Sequence, residues 1–230
     1  ANRNLSEDNR DALLDELETL QEKCFDLQRH FRPNPSVDHE QLTWLKDGLI
    51  ASHRDPTTRG RILTMHHPAY VTEKTKWNQA DTQAIRNHLR NVFSDVASSL
   101  GDARSAPLVD LVLSGHAHCM EMLRTHDTGH ADREINWVIC GGSGYGLRPQ
   151  RRDGPELIEQ DEAGHQRVIA SNHLFIGRDW SGTSEGDAYS GLRIDIAEGK
   201  PLTITVQPLV SCRTSQGWMD ADPAPITLGG

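Results

Sequence analysis

Three stretches of the chain carry apolar residues at the spacing of an amphipathic helix. In residues 6–31 leucine and other apolar side chains recur every three or four positions, and the first residue, a serine, suits the N-cap. The prolines within 32–36 end this helix, because proline removes a backbone donor. The same spacing predicts a second helix over 38–50, capped by its aspartate, and a third over 79–100.

Short apolar runs between these helices predict β-strands. The runs at 61–65 and 108–113 are almost continuously apolar, as in strands that are buried on both faces. Two further strands are predicted at 120–124 and 136–140. The last third of the chain alternates apolar and polar residues, which indicates antiparallel strands joined by turns. These strands are predicted at 168–176, 191–196 and 202–206.

The order of these elements predicts the fold class. Strand and helix alternate in the first half and strands dominate the last third, so an α/β architecture of layered sheets with helices outside fits best. The chain has 230 residues, which is within the size of one domain. It divides into a helical lead-in, a motif-bearing α/β region, a polar loop insertion and a strand-rich C-terminal part. These four segments span 1–37, 38–147, 148–166 and 167–230.

Composition and charge argue against several classes of function. Hydrophobic residues make up 36% of the chain, which is enough for a core and speaks against wholesale disorder. There are 24 basic and 33 acidic side chains, and the net charge of −9 disfavours non-specific binding to nucleic acids or membrane surfaces. No apolar run reaches the roughly 18 residues of a membrane helix. Because the four cysteines form no C-x-x-C pair, we expect reduced, buried thiols in a cytoplasmic protein.

Two histidine clusters stand where predicted strands end. His66 and His67 follow the first of the continuous strands, and His116 and His118 follow the second. Loops at the carboxyl ends of strands converge in α/β sheets, and imidazole is a good ligand for zinc, iron and manganese. On an extended segment residues two apart share a side, so His116 and His118 are expected to point the same way. Either cluster alone also fits a plain loop, but the two together predict a metal site.

The other candidate chemistry is assigned to structural roles. The glycine-rich run 141–146 lacks the Lys-Ser/Thr of a phosphate-binding loop and is interpreted as a tight exit from a strand beneath the metal site. Cys119 and Cys140 are interpreted as buried thiols. The arginines at 148, 151 and 152 either reach a phosphate or form a solvated charge run, and we favour the charge run. The remaining histidines are interpreted as surface or satisfied core residues: His30, His39, His53, His88, His126, His130, His165 and His173.

Four segments, taken in order, resemble the calcineurin-like metallophosphoesterase superfamily. They are QLTWL at 41–45, ILTMHHP at 62–68, VLSGHAH at 112–118 and VICGGSG at 138–144. The resemblance implies a layered α/β/β/α sandwich, in which two mixed sheets are flanked by helices and a two-metal centre lies at the sheet edge. It also implies metal-dependent hydrolysis of a phosphate monoester or diester by a metal-bound hydroxide.

The resemblance further implies a role for each histidine of the two clusters. His66, two residues before Pro68, matches the family's lone histidine ligand, and His116 would bind the same ion. His118 would bind the other ion, and His67 would lie behind the ligands or toward the substrate. The two ions would be divalent or trivalent, with Mn, Fe and Zn as candidates. No residue of this chain is assigned as catalytic.

Three of the family's five sequence blocks are missing here. D-x-H, G-D-x-x-D and G-N-H-[DE] do not occur, and the chain begins with Ala1 rather than methionine. We therefore expect a single incomplete domain, the C-terminal portion, which is inactive alone and needs the N-terminal half of the same protein for its remaining ligands. The alternative is a non-catalytic metal-binding or protein-interaction module related to metallophosphoesterases, docking by the helix over 6–31.

Overall fold

A computed structural model describes most of the chain from residue 37 onward. The described ranges are 37–103, 107–144, 146–160, 163–179, 187–199 and 202–228. Within the helix predicted over 6–31, five positions are described and all five are helical, and the rest of that prediction lies outside the described residues. One of the five, Cys24, is exposed, so the expectation of a buried thiol is wrong there. The other three cysteines are free and buried or half-buried, as expected.

Two α-helices lie within the continuous described ranges, close to their predicted positions. Helix α1 spans His39–Arg54, and the Oδ1 atom of its N-cap Asp38 accepts a hydrogen bond from the Gln41 N–H at 3.0 Å. It runs one turn beyond the predicted end. Helix α2 spans Ala80–Leu100 and is followed by a short 3₁₀ turn at Gly101–Ala103. Neither helix has the length and apolar character needed to cross a lipid bilayer, and this holds for all the described residues.

Six strands form a mixed sheet that carries the motif region. In chain order they are β1 Ile62–Thr64, β2 Leu111–Ser114, β3 Met120–Thr125, β4 Asn136–Cys140, β5 Glu156–Gln160 and β6 Gln166–Ile176. Across the sheet the order is β1-β2-β4-β3-β6-β5. The first three strands of that order are parallel and the other three pair antiparallel, so the carboxyl ends of β1, β2 and β4 share one edge.

Four further strands form a second, antiparallel sheet. They are β7 Ala188–Ile196, β8 Ile204–Thr214, β9 Gly217–Ala221 and β10 Ile226–Leu228. The central strand β8 pairs with β7 along one side and with β9 and β10 along the other. The alternation in the last third therefore indicated antiparallel pairing correctly, although the predicted 202–206 strand is longer and two strands were not predicted.

Two apolar clusters cover the two faces of the six-stranded sheet. On one face helices α1 and α2 pack through Leu49, Leu89 and Phe93 against residues of the strands. On the other face Met120 and Val138 pack against Ile204 and other apolar residues of the second sheet. Among the described residues this makes one helical layer on a sheet that packs on a second sheet. The prediction of an α/β fold with layered sheets is confirmed at this level.

The polar segment 148–166 differs from its prediction as a loop. It contains strand β5, which pairs antiparallel with β6 at the edge of the six-stranded sheet. Arg148 is buried, and Arg151 forms an ion pair with Asp153 at 3.7 Å, so the interpretation as a solvated charge run is wrong for Arg148. The backbone N–H of Arg148 donates to the carbonyl oxygen of His118 at 2.9 Å. The start of this segment is therefore bonded to the loop that carries His118, and its strand lies at the side of the sheet opposite β1.

Candidate metal centre

Two strand ends bring the histidine clusters together. His66 lies two residues after the end of β1, and His116 lies two residues after the end of β2, its parallel neighbour. The backbone N–H of Gly115 donates to the carbonyl oxygen of His66 at 3.0 Å, and the N–H of Met65 donates to that of Leu113 at 3.0 Å. These bonds continue the ladder beyond the strands, so the two histidine-bearing loops leave the sheet side by side, as the sequence predicted.

Three imidazoles converge at this edge. The rings of His66 and His116 have centroids 5.2 Å apart, and His67 lies 4.8 Å from the first and 4.2 Å from the second. One nitrogen of each ring lies within 4.8 Å of one nitrogen of the others. Nitrogen ligands on one zinc ion are about 3.3 Å apart when arranged tetrahedrally. His66 is exposed and the other two rings are half-buried, and side-chain rotations would be needed to bring the three nitrogens to that spacing.

His116 is held in a strained backbone conformation. Its φ is +63°, in the left-handed region where a non-glycine residue costs about 1 kcal/mol or more. The turn is closed by the Ala117 N–H, which donates to the Gly115 carbonyl oxygen at 2.7 Å. Such tight three-residue turns are uncommon because they crowd the backbone. The ring that this strained turn carries lies beside those of His66 and His67.

His118 is placed apart from these three rings. It is exposed, its Nδ1 lies 3.0 Å from the carbonyl oxygen of Gly146, and it is not a member of the group of converging nitrogens. His118 is the middle residue of a second tight turn, in which the Cys119 N–H donates to Ala117 O at 2.9 Å. Of the three predicted ligands, the structure brings together His66 and His116, which were expected to share one ion, and His67 joins them. His118, which was expected to bind the other ion, lies outside this group.

Asp81, in the first turn of α2, lies beside the cluster. Its Oδ2 lies 3.9 Å from Nε2 of His67. A carboxylate beside the ring of a metal ligand fixes the ring's orientation and raises its basicity. No sequence motif marked Asp81, but its position at the start of a predicted helix that follows the His67 loop was a usable signal.

The loop between β1 and α2 is anchored by a buried carboxyl group. Glu121 on β3 is fully buried, and its Oε2 accepts hydrogen bonds from the Thr72 N–H and hydroxyl, both at 2.7 Å, and from the Asn172 amide at 2.9 Å. Burial raises the pKa of Glu121, and the two hydrogen bonds from Thr72 oppose that shift. A buried carboxyl with this many donors fixes the loop onto β3 and β6. Sequence reasoning missed Glu121 because its neighbours make it look like an ordinary polar position of a strand.

The remaining sequence candidates near the cluster are structural. A Cβ atom on Gly141 would lie 1.9 Å from the carbonyl oxygen of Ala117, so the exit of β4 passes directly against the His116 turn and only glycine fits. Cys119 is fully buried, its thiol donates to Oε1 of Glu121 at 3.3 Å, and burial raises its pKa. Burial also raises the pKa of Cys140. Neither thiol is suited to act as a nucleophile, as the sequence indicated.

Replacing Asp81 with asparagine is expected to weaken zinc binding by about tenfold, because the amide cannot hold the His67 ring as a carboxylate does. Isothermal titration of the purified chain with Zn²⁺ measures this. Asp102→Asn is the matched control, since it removes the same charge at the opposite end of α2, about 30 Å away. An equal loss of zinc affinity in both variants would show that the overall charge of the chain, and not the position of Asp81, sets the affinity.

No protein-family model matches this chain, and no curated protein was found to match it.

Proposed function

We propose that this protein takes part in metal-dependent hydrolysis of a phosphate ester, with the metal ion held by His66, His67 and His116. The observation that carries the proposal is the convergence of three imidazole nitrogens within 4.8 Å at the carboxyl edge of a parallel strand pair. Ligands bind preferentially at this edge in α/β sheets. The sequence resemblance to calcineurin-like metallophosphoesterases supports the reaction class.

The donor set fits a metal ion of the first transition row. Three neutral imidazoles with the remaining positions open are typical of catalytic zinc, and imidazole also suits iron and copper. When bound, such an ion lowers the pKa of a coordinated water and neutralises charge on phosphate oxygens. Asp81 would keep the His67 ring in its binding orientation, and the strained His116 turn would keep its ring facing the ion.

A second ion, as the resemblance implies, needs further ligands. His118 is free to supply one ring nitrogen, because its Nδ1 faces Gly146. No carboxylate belongs to the cluster among the residues that the structure describes. We therefore propose that the first ion is held by this chain and that the N-terminal half of the protein supplies the carboxylate and amide ligands of a two-metal centre.

The function is tested on the product of the complete reading frame that encodes this sequence. Loaded in turn with Zn²⁺, Mn²⁺ and Fe²⁺, it is expected to hydrolyse p-nitrophenyl phosphate or its bis ester, and a chelator should remove the activity. The chain beginning at Ala1 serves as the comparison and is expected to bind metal without turnover. Absence of hydrolysis with every ion and both esters would contradict the proposal.

A second candidate is a non-catalytic module that binds one metal ion. The all-imidazole donor set favours it, because without a carboxylate the site holds an ion but does not assemble a two-metal centre. This candidate predicts one tightly bound ion per chain and no hydrolysis in the complete product. Metal analysis and the ester assays above therefore separate the two.

Replacing His118 with alanine is expected to leave the affinity for the first zinc ion unchanged within about twofold, because its ring lies outside the converging group. Titration of the chain with Zn²⁺ measures this, with His130→Ala as a control for another exposed histidine. A loss of tenfold or more in His118→Ala alone would mean that His118, rather than His67, completes the site.

A further inference from the structure

The helix predicted over 6–31, which we call the N-terminal helix, carries apolar residues at the spacing of a coiled coil. Six residues stand alternately four and three positions apart and fill every a and d position of a heptad repeat between 13 and 31. These six, which we call the seam, are Leu17, Cys24 and Phe31 at a and Leu13, Leu20 and Leu27 at d.

The seam is narrow. Of the six e and g positions that flank it only Leu14 is apolar, and Phe25 lies at b, away from the seam. A surface helix that packs on its own domain usually has a wider apolar face, which includes e or g positions. The pattern therefore favours a facing helix with the same repeat over a globular core.

The structure leaves the seam uncovered. Five positions of the N-terminal helix are described, all are helical, and four of them belong to the seam. Leu13 and Leu17 are each 50% exposed and Leu20 is 56% exposed, and Cys24 is exposed as well. The part of the chain that the structure describes therefore does not bury these four side chains. A contiguous apolar surface of this kind marks an interaction site.

A second copy of the same helix fits this seam. Side chains at a and d insert between the a and d residues of a facing helix, so a heptad seam is complementary to a copy of itself. The prolines at 33 and 35 separate the N-terminal helix from α1, which begins at His39. Most of the stability of a helix in a protein comes from packing of its apolar face, and pairing supplies that packing.

The side chains that flank the seam favour a parallel pair. In that arrangement Glu16 faces Gln21 and Lys23 faces Gln28 of the other copy, so no like charges meet. An antiparallel pair that buries the whole seam of both copies would instead place Lys23 against Lys23. Because a residues face a residues in a parallel pair, Cys24 lies opposite Cys24.

We propose that two copies of this chain associate through a parallel two-stranded coiled coil formed by residues 13–31. The coil spans fewer than three heptads, so the association is reversible and depends on protein concentration. The contact uses no residue of the metal centre and does not depend on the proposed function.

Sedimentation of the purified chain over a range of concentrations tests the association. We expect a monomer–dimer equilibrium that Leu20→Asp weakens by about 100-fold, because a charge would be buried at a d position of both helices. Thr19→Asp, which adds the same charge at the outward c position, is the matched control and should leave the equilibrium unchanged. A chain that stays monomeric at every concentration, or a dimer that Leu20→Asp leaves intact, would overturn the proposal.

Oxidation with diamide tests the parallel orientation. Facing a residues of a parallel pair bring their Cα atoms within the roughly 4.4–6.8 Å that a disulfide spans. A disulfide-linked dimer is expected in the wild type and in Thr19→Asp, and none in Cys24→Ser. A dimer that does not cross-link through Cys24 would be antiparallel and would reject the proposed coil.

A spin label on Cys24 identifies the competing intrachain arrangement. An apolar groove of about 300 Å³ between α1 and β1 is lined by Trp44, Leu45 and Ile62, and the seam could fold onto it. In that case the label would broaden the Trp44 indole N–H signal of a monomeric chain. This result would assign the seam to its own chain and overturn the proposal, whereas a dimer whose Trp44 signal stays sharp supports it.

Discussion

Replacing His116 with alanine is expected to weaken zinc binding by the chain at least 100-fold. His116 contributes one of three converging nitrogens, and its ring is the one closest to His67, at 4.2 Å between centroids. Losing a ligand costs more than losing a residue that merely orients one, which typically costs 10–100-fold. Titration of the purified chain with Zn²⁺ measures the change. In the complete product the same substitution should remove most of the ester hydrolysis.

A glycine variant separates ligand loss from damage to the fold. Because His116 has a φ of +63°, alanine keeps the strain of the left-handed conformation and glycine relieves it. His116→Gly should therefore be more stable to urea than His116→Ala by about 1 kcal/mol, while both lose zinc. Zinc affinity that survives in the glycine variant would show that His116 is not a ligand. Wild-type hydrolysis by either variant would reject the proposed catalytic site.

The stability of the chain is expected to fall as pH rises through neutrality because of Glu73. This side chain is fully buried in the loop between β1 and α2, and burial raises its pKa from 4.5 to about 7. Hydrogen bonds from the Thr75 N–H at 3.2 Å and hydroxyl at 2.9 Å oppose the shift, as do the charges of Lys76 and Arg148. The net effect is that the folded protein holds the proton of Glu73 more tightly than the unfolded chain does.

The sign of the pH effect follows from this difference. Where the folded state binds more protons than the unfolded state, the free energy of unfolding decreases with rising pH. The contribution of Glu73 is therefore fully present below pH 4.5 and is lost as the pH passes through about 7. A shift of this size corresponds to about 3 kcal/mol. Urea unfolding at a series of pH values across this window measures the loss.

Glu73→Gln is expected to flatten this profile. The amide keeps an acceptor for the Thr75 N–H and has no charge to bury. The contribution of Glu73 to the pH dependence of the free energy of unfolding is therefore lost. Burial also raises the pKa of Glu121, and the contribution of Glu121 to the pH dependence remains in this variant. Glu156→Gln, at an exposed carboxyl of β5, is the matched control and should leave the profile unchanged. A Glu73→Gln profile as steep as that of the wild type would assign the slope to other groups.

Elements with strong apolar periodicity were predicted close to their observed bounds. Helix α2 buries one apolar face, and strand β4 buries apolar residues on both faces of the sheet, and this burial stabilises each element. Strand β5 was predicted as loop because only Leu157 is buried among its five residues. Its existence depends on backbone pairing with β6, which leaves no mark in the local sequence. Strands β9 and β10 were missed for the same reason, since their side chains are exposed or half-buried.

The histidines near the strand ends divide in the same way between those that could and those that could not be predicted. His66 and His116 were predictable because each follows an apolar strand, and parallel neighbours end at one edge. The choice between His67 and His118 was not predictable, since the expectation that residues two apart share a side holds only for extended backbone. Here two tight turns and the positive φ of His116 interrupt the extended conformation.

By itself the sequence determined that apolar runs and helices build an α/β fold and that two histidine clusters stand at strand ends. Those features depend on local periodicity, which the order of residues carries directly. Only the tertiary structure decided that His67 joins the cluster, that Asp81 lies beside His67, and that Glu121 holds the following loop through Thr72. These depend on contacts between residues far apart in the chain, and on backbone turns whose geometry is imposed by the surrounding packing.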